Sequence, residues 1–289
     1  MKKGMTLVLA AAMTVAALTA CGSNNNTPAA APASTNETAA EGETVADGET
    51  AGFKTIKEGV LMVGTEIGYP PMEYFDEDGA TPIGFDMELA QALADDMGLE
   101  LELVDTAWDG IFAGVDTEKY DVILSCVSWT KDRNENYLLS KTYVANAPVL
   151  VVPKDSEITS MDDMGGHSVA VQMETTADYL VQRFNEEGLG ADLRQYEKVI
   201  NAFDELKAGR VEAVCTDAVV ASYYLGDEAS NYQTVWEADE KEPICMCFKK
   251  GNDGLKDAME ASLDNLKANG KLGEIATKYF GSDITADLD

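Results

Sequence analysis

Residues 119–125, Lys-Tyr-Asp-Val-Ile-Leu-Ser, and residues 210–216, Arg-Val-Glu-Ala-Val-Cys-Thr, repeat one pattern at two places in the chain. Each segment has a basic residue, an apolar or aromatic residue, an acidic residue and then a mostly apolar run. This pattern is typical of a joint between a helix and a buried strand, because a strand covered on both faces reads as a short apolar run. The repetition predicts two similar α/β lobes.

Strands and helices alternate around the first segment. We predict strands at residues 60–65, 101–104 and 120–128, and helices at 84–97 and 108–117. The first helix has the clearest pattern, since Phe85, Leu89, Leu93 and Met97 recur every four residues and Gly98 can end it. The order βαβαβ predicts a parallel sheet with helices on both faces.

The alternation restarts after an apolar strand predicted at residues 147–153. The elements predicted in this second half are strands at 167–172, 193–196 and 211–216 and helices at 175–187, 201–208 and 217–225. Another apolar strand at 244–248 is followed by helices near 255–268 and 272–279, which have no new sheet to cover.

We therefore predict a two-lobed α/β protein in which the last two helices pack on the first lobe. Residues 53–147 plus 245–289 form lobe 1, and residues 148–244 form lobe 2. The apolar strands near 147–153 and 244–248 are predicted to cross between the lobes and to act as a hinge.

The N-terminal 52 residues are predicted to lie outside both lobes. Lys2 and Lys3 precede a run of uncharged, mostly apolar residues from 5 to 20, which is shorter than the ~20 residues that span a bilayer. Residues 1–20 therefore have the pattern of a signal peptide. Residues 21–52 contain almost no large apolar side chain, a composition that predicts a flexible tether.

The end of the apolar run resembles a lipobox. Leu18, Thr19 and Ala20 stand directly before Cys21, as a leucine and two small residues precede the modified cysteine of bacterial lipoproteins. The resemblance implies cleavage before Cys21 and a diacylglycerol lipid on its sulfur. The alternative is an ordinary secretory signal in which Cys21 is incidental.

Composition excludes several classes of function. The 289 residues include 52 acidic and 21 basic side chains and one histidine, with a formal net charge of −31. Such a surface repels phosphate backbones and anionic lipid, so nucleic-acid binding is not expected. One histidine excludes metal sites built from two or more histidines, and we expect no metal or other cofactor.

Four cysteines lie in the predicted folded part, at Cys126, Cys215, Cys245 and Cys247. An exported location permits disulfides, but no CxxC spacing is present. The sequence leaves disulfide pairing open, and buried free thiols are our expectation.

Charged and polar residues follow the predicted strands at their carboxyl ends, where open parallel sheets bind ligands. Arg133 could clamp a carboxylate with two parallel hydrogen bonds, with help from Ser128. Thr175 and Thr176 open a helix whose free amides attract anions, and Asp217 could receive an ammonium. The alternatives are a surface arginine and ordinary helix caps. Together, an anion clamp and an acidic acceptor on opposite lobes match a zwitterionic α-amino acid.

Several motifs, in this order and spacing, make the chain similar to the family-3 extracellular solute-binding proteins of polar amino-acid ABC transporters. The resemblance runs from about residue 54 to residue 284. The motifs are VGTEIGYPPMEY (63–74), GFDMELA (84–90), WDGI (108–111), YDVI (120–123), SWTKDR (128–133), LSKTY (139–143), GRVEA (209–213) and GKLGEI (270–275).

The resemblance implies the type II periplasmic-binding-protein fold, often called a Venus flytrap. It also implies an extracytoplasmic, monomeric receptor without enzyme activity. Such a receptor binds an L-amino acid between its lobes and delivers it to the permease subunits of an ABC transporter. Here the lipid on Cys21 would hold it at the cell membrane.

The resemblance also assigns a site for the ligand α-carboxylate. Arg133 binds the carboxylate, Ser128 assists, and Thr175 with Thr176 completes the site. The family often has glycine before the Thr-Thr pair, whereas this chain has Glu174. A negative charge beside a carboxylate is unfavourable. Glu174 therefore counts against the assignment of Thr175 and Thr176 to the carboxylate site.

The remaining residues carried over by the resemblance hold the ammonium and the side chain of the ligand. Asp217 takes the ammonium, together with the backbone carbonyl of Cys126. Tyr69 and Trp108 line the side-chain pocket. Glu66 lies where an acidic residue can meet a basic ligand side chain, which slightly favours a basic amino acid over a neutral polar one.

Two other functions remain open at this point. A dehydratase on the same fold needs a general acid in the cleft, for which Glu66 or Glu174 could be proposed. A ligand-sensing partner of a membrane receptor would signal without uptake.

Overall fold

A computed structural model of the protein describes residues 52–227 and 231–286. The predicted signal peptide at residues 1–20, Cys21 and nearly all of the tether at residues 21–52 lie outside the described residues. Within the described ranges, no helix has the length and apolarity needed to cross a bilayer.

The described residues form two five-stranded sheets, a two-stranded ribbon and eight α-helices. The strands are β1 (Val60–Thr65), β2 (Tyr74–Phe75), β3 (Pro82–Ile83), β4 (Glu100–Asp105), β5 (Val122–Ser128), β6 (Leu138–Val144), β7 (Pro148–Pro153), β8 (Ser168–Gln172), β9 (Asp192–Tyr196), β10 (Ala213–Asp217), β11 (Tyr232–Glu237) and β12 (Ile244–Phe248). The helices are α1 (Phe85–Met97), α2 (Trp108–Asp116), α3 (Lys131–Asn136), α4 (Thr176–Glu186), α5 (Val199–Lys207), α6 (Ala218–Asp227), α7 (Asp253–Ala268) and α8 (Lys271–Phe280), with a 3₁₀ turn at Met161–Met164.

Each sheet combines a parallel core with antiparallel strands. Sheet 1 has the order β4-β1-β5-β12-β6, and sheet 2 has the order β11-β7-β10-β8-β9. The predicted βαβαβ core is present in sheet 1, where β1 lies parallel to β4 and β5. Antiparallel β12 joins β5 to β6, and antiparallel β7 joins β10 to β11 in sheet 2. We call the bodies around the two sheets lobe 1 and lobe 2.

The chain passes between the sheets twice, in connectors at residues 145–147 and 238–243. The strands predicted to cross, β7 and β12, each belong to one sheet, and each follows directly after a connector. The connectors lie side by side, since the Glu242 amide donates to the Asn146 carbonyl at 3.0 Å and the Ala238 amide donates to the Pro148 carbonyl at 2.9 Å. The strand order supports the predicted division into two lobes. That the two lobes move separately remains a prediction.

The C-terminal helices cover sheet 1. Helix α7 packs against α1 and β6, and α8 packs against α1 and α7. Helix α1 begins after Gly84, which approaches the preceding segment so closely that an added Cβ would lie 2.2 Å from the Met72 carbonyl oxygen. Only glycine allows that approach, and it places residues 71–73 against the first turn of α1.

Sequence analysis missed several elements, of which α3, β6 and β11 are the longest. Helix α3 is short and polar throughout, so it has no apolar period to detect. The Thr130 hydroxyl accepts the Arg133 amide at 3.1 Å and begins this helix. Strand β6 carries Ser140, Lys141 and Thr142 within an apolar pattern, and it is recognisable as a strand only from its pairing with β12.

Thiol titration tests the state of the cysteines. Cys126, Cys215, Cys245 and Cys247 are free and buried. Burial raises the pKa of Cys245 to about 12 and raises the pKa of the Cys126 thiol well above its ordinary value. Since the thiolate is the reactive form, a Cys21→Ser variant should show no thiol reactive to Ellman's reagent when folded, and four after unfolding in urea. A smaller number after unfolding would reveal a disulfide, and a fast-reacting thiol in the folded protein would contradict the burial.

Candidate functional site

A small cavity lies between the two lobes. All nine residues predicted to bind ligand line it: Glu66, Tyr69, Trp108, Cys126, Ser128, Arg133, Thr175, Thr176 and Asp217. Three further lining residues, Glu73, Ser125 and Gln172, were not among the nine predicted to bind ligand. The structure therefore brings the predicted set together, while their contact with a ligand remains a prediction.

Arg133 is a buried cation with unused hydrogen-bond donors. Its side chain lies at the start of α3 and is only 9% exposed, so the alternative of a surface arginine is wrong. One guanidinium nitrogen, Nη1, donates to the Ser128 carbonyl at 2.9 Å. The guanidinium also lies 5.4 Å from the ring centre of Trp108 and 5.1 Å from that of Phe112. Among the described residues no carboxylate pairs with Arg133, so most of its N–H donors remain available to an anion.

Asp217 ends β10 in lobe 2 and is held by Tyr69 and Cys126 of lobe 1 and by Asn146 of the first connector. The Tyr69 hydroxyl donates to Asp217 Oδ2 at 2.6 Å, and Asn146 Nδ2 donates to Oδ1 at 2.5 Å. The Cys126 sulfur lies 3.9 Å from Oδ2. Burial raises the pKa of Asp217, while the hydrogen bonds from Tyr69 and Asn146 and the charge of Arg133 oppose that increase.

Cys126 has a strained backbone inside β5. Its φ is +47°, a left-handed conformation that residues with side chains seldom adopt. The pairing of β5 with β12 shifts register here, because Val127 pairs with Cys245 but Ile123 pairs with Cys247. The strand therefore bulges beside the cavity, as strands often do next to functional sites. The Cys126 amide leaves the sheet and donates to Asp86 Oδ2 at 2.7 Å.

At another part of the cavity wall, Glu66 faces Gln172 of lobe 2. Gln172 Nε2 donates to Glu66 Oε2 at 2.7 Å. The Gln172 Oε1 atom is buried and has no hydrogen-bond donor among the described residues. Burial raises the pKa of Glu66, and the hydrogen bond from Gln172 opposes this increase. Two acceptors, a carboxylate and an amide oxygen, therefore meet at this wall.

The backbone at the start of α4 accounts for the capping role of Thr175 and for the glycine that the family often has at the position of Glu174. The Thr175 hydroxyl caps α4 by accepting the Asp178 amide at 3.3 Å, and it donates to the Gln172 carbonyl at 2.8 Å. Glu174 has a φ of +61°, a conformation in which glycine costs least. Its side chain is exposed and is absent from the cavity lining. Its carbonyl accepts the Trp108 indole N–H at 3.0 Å, which joins the lobes.

Most of the folded part of the chain matches one known protein family. Residues 61–282 match the model of the bacterial extracellular solute-binding proteins, family 3. The chain belongs to this family. Membership implies an extracytoplasmic location, and the predicted two-lobed periplasmic-binding-protein fold is confirmed.

Individual family members extend the comparison over nearly the whole chain. The L-cystine-binding protein TcyA of Bacillus subtilis is 30% identical over 289 residues, which cover 99% of this chain and 100% of that protein. A solved ancestral arginine-binding protein with bound arginine is 32% identical, has a TM-score of 0.73, and covers 77% of this chain and 99% of its own.

One solved neighbour bears on the enzyme alternative. It is an ancestral amino acid-binding protein described as a precursor of cyclohexadienyl dehydratase, and it is 32% identical with a TM-score of 0.71. The match covers 77% of this chain and 96% of that one. Because this neighbour is itself a binding protein, the comparisons are consistent with a protein that is not an enzyme.

Residues missed by sequence analysis complete the site. Glu73 stands inside the quoted motif at residues 63–74, but a single sequence carries no signal that its side chain faces a cavity. Asn146 lies in a connector and Phe112 in α2, where the chain pattern shows only a loop and an apolar helix face. Their roles depend on contacts between segments distant in sequence.

Removing the Tyr69 hydroxyl tests the bond between the lobes at Asp217. A hydrogen bond to a charged group contributes about 1.5–3 kcal/mol, so Tyr69→Phe should lower the free energy of unfolding in urea by about that amount. Tyr179→Phe is the control, because Tyr179 is 54% exposed and its change should stay within about 0.5 kcal/mol. Equal effects of the two substitutions would show that the Tyr69–Asp217 bond adds nothing to stability.

Proposed function

We propose that this protein binds an L-amino acid between its lobes, with the α-carboxylate on Arg133 and the ammonium on Asp217. The observation that carries the proposal is the burial of Arg133 in a cavity without a carboxylate partner among the described residues. A buried guanidinium with unused donors is unfavourable unless an anion meets it. The fork geometry suits a carboxylate, because it allows two parallel hydrogen bonds.

The ammonium would meet a carboxylate that is already oriented. Asn146 and Tyr69 hold the two oxygens of Asp217, and each oxygen can accept more than one hydrogen bond. Thr176 lines the cavity at the start of α4 and Ser128 at the end of β5. These positions support the predicted assistance to the carboxylate, whereas the Thr175 hydroxyl is already used as a helix cap.

The ligand side chain would end at Glu66 and Gln172. A carboxylate and an unpaired amide oxygen select a group that carries N–H donors or a positive charge. Arginine has such a group, and cystine has a second ammonium; the relatives named above bind one or the other. We therefore propose an L-amino acid with a donor-rich or cationic far end. A neutral polar amino acid is the runner-up.

A cellular location and a transport partner can be proposed beyond the family assignment. We propose that the protein acts as a monomer, is held at the membrane by lipid on Cys21, and delivers its ligand to the permease subunits of an ABC transporter. The lipobox resemblance at residues 18–21 and the tether composition at residues 22–52 support this anchoring.

Charge removal at the two ends of the ligand tests the site. A thermal-shift screen of the common amino acids and cystine comes first, since a ligand at 100 times its Kd adds ~2.7 kcal/mol of stability. Truncating one partner of a buried charge pair costs about 2–5 kcal/mol, so Arg133→Ala and Asp217→Asn should each weaken the best ligand by roughly 30-fold or more in isothermal titration.

The matched control is Arg194→Ala. Arg194 is exposed and pairs with Asp192 at 2.6 Å on the surface of lobe 2, so its removal should leave affinity near the native value. Near-native affinity in Arg133→Ala and in Asp217→Asn would remove the physical basis of the amino-acid site.

Mass spectrometry of the protein from its native membrane tests the anchor. The mature chain should begin at Cys21 and carry lipid. Cys21→Ser should release the protein from the membrane, because a polypeptide tether without lipid has no membrane affinity of its own. An unmodified Cys21, or cleavage at another residue, contradicts the anchor and leaves the ligand site untouched.

A further inference from the structure

Glu73 carries a buried carboxyl oxygen that lacks a donor. The residue is 1% exposed and lines the cavity. Its Oε1 atom accepts the Ser125 hydroxyl at 2.7 Å, and the Ser125 oxygen in turn accepts the Glu66 amide at 3.0 Å. Its Oε2 atom is buried and meets no donor among the described residues. Buried polar atoms are seldom left without a partner, so this oxygen needs an explanation.

A second buried carboxyl group faces Glu73. Asp86 lies in the first turn of α1 and is fully buried. One or both of its oxygens accept the Cys126 amide at 2.7 Å and the Tyr143 hydroxyl at 2.9 Å. The approach of Gly84 to Met72 brings the two carboxyl groups together, and the Asp86 amide donates to the Met72 carbonyl at 2.9 Å.

The surroundings of the two carboxyl groups are predominantly acidic. The groups that face them from neighbouring elements are Glu66 after β1, Cys126 in β5 and Tyr143 in β6. Asp217 and the cation Arg133 act in turn on the Cys126 thiol. No lysine or arginine pairs with either carboxyl group in residues 52–227 and 231–286. Two ionised carboxylates in contact, buried and without a cation, repel each other strongly.

We propose that Glu73 and Asp86 share one proton at neutral pH, that Glu73 donates it to the Asp86 carboxylate, and that this pair positions Cys126 and Ser125 in the cavity wall. The proton gives the orphaned Oε2 atom a partner. Asp86 is the ionised member because donors from Cys126 and Tyr143 already point at it, whereas Glu73 receives a single donor, from Ser125.

Burial and the nearby carboxylates agree with this assignment. Burial raises the pKa of Asp86, and burial together with the charge of Asp86 raises the pKa of Glu73 well above its ordinary value. The pair has a structural task as well, since the ionised Asp86 holds the amide of a residue whose φ is +47°. The importance of this task for ligand binding rests on the proposed function, but the shared proton does not.

Glu73→Gln tests the proton without any ligand. The amide is isosteric with the protonated acid and can donate to Asp86 at every pH. Above pH ~5 an unfolded glutamate has lost its proton while the folded pair keeps it, so native stability falls as pH rises towards the raised folded pKa. The ratio of unfolding constants, wild type over Glu73→Gln, should therefore increase by up to tenfold per pH unit between pH ~5 and that pKa.

Glu88→Gln is the matched control for the full-length chain. Glu88 lies in α1 and pairs with Lys278 on the surface, and its pKa is lowered through Lys278 and Tyr279. Its substitution should not reproduce the difference seen above pH 5. Urea unfolding from pH 5 to 9 measures all three proteins. A constant ratio between wild type and Glu73→Gln would overturn the shared proton.

Ligand binding at pH 7 distinguishes a positioning residue from a direct ligand contact. With L-arginine and L-cystine as probes, Glu73→Gln should lose less affinity than Asp86→Asn, which should lose at least tenfold because the Cys126 amide and two other donors lose their anionic acceptor. A loss of 30-fold or more in Glu73→Gln would show an ionised Glu73 bound to ligand and would overturn the proposal. If wild type binds neither probe, the proposed ligand class fails, and the stability measurement still decides the proton.

Discussion

The cavity depends on the burial of opposite charges that do not neutralise each other. Arg133 binds a carbonyl and two aromatic rings, while Asp217 binds a tyrosine hydroxyl and an asparagine amide. Neutral partners orient each charge but leave most of the guanidinium donors unused. Burying charge in this way is unfavourable by itself. A zwitterion between the lobes would supply a carboxylate to Arg133 and an ammonium to Asp217. Ligand binding would therefore also link the two lobes.

The connectors link this charge arrangement to the crossing of the chain. Asn146, which orients Asp217, lies in the first connector, and its carbonyl accepts the amide of Glu242 in the second. A side chain that holds Asp217, the proposed acceptor of the ligand ammonium, thus stands where the lobes join. Any change in connector geometry would move a partner of Asp217. Trp108 and Tyr69 add direct hydrogen bonds from lobe 1 to lobe 2 around the same cavity.

A second layer of buried acids supports the wall from lobe 1. Asp86 holds the strained Cys126, and Glu73 holds Ser125, so the bulge in β5 is stabilised from behind by carboxyl groups. Gly84 permits this layer, because any side chain there would collide with the Met72 carbonyl. The motifs at residues 63–74 and 84–90 therefore encode one contact rather than two separate features.

The local sequence pattern was sufficient to predict those strands and helices whose position depends on burial alone. The predicted bounds of β1 and β12 agree with the structure, and α1 ends at Gly98 as its left-handed cap requires. Helix α3 and strand β11 were missed because a short polar helix and a strand at the edge of a sheet leave little apolar periodicity. Resemblance to the family, and not periodicity, placed Cys126 in the predicted site.

The sequence by itself determined the two-lobed α/β class, the strand ends and nine of the twelve residues that line the cavity, because apolar runs, caps and family motifs are local properties. Only the tertiary structure decided how those residues are used. It placed Asn146 on Asp217, showed Thr175 to be a helix cap, and brought Glu73 against Asp86. The physical reason is distance along the chain: charge, hydrogen bonding and burial act through space, and Asn146 lies 71 residues from Asp217.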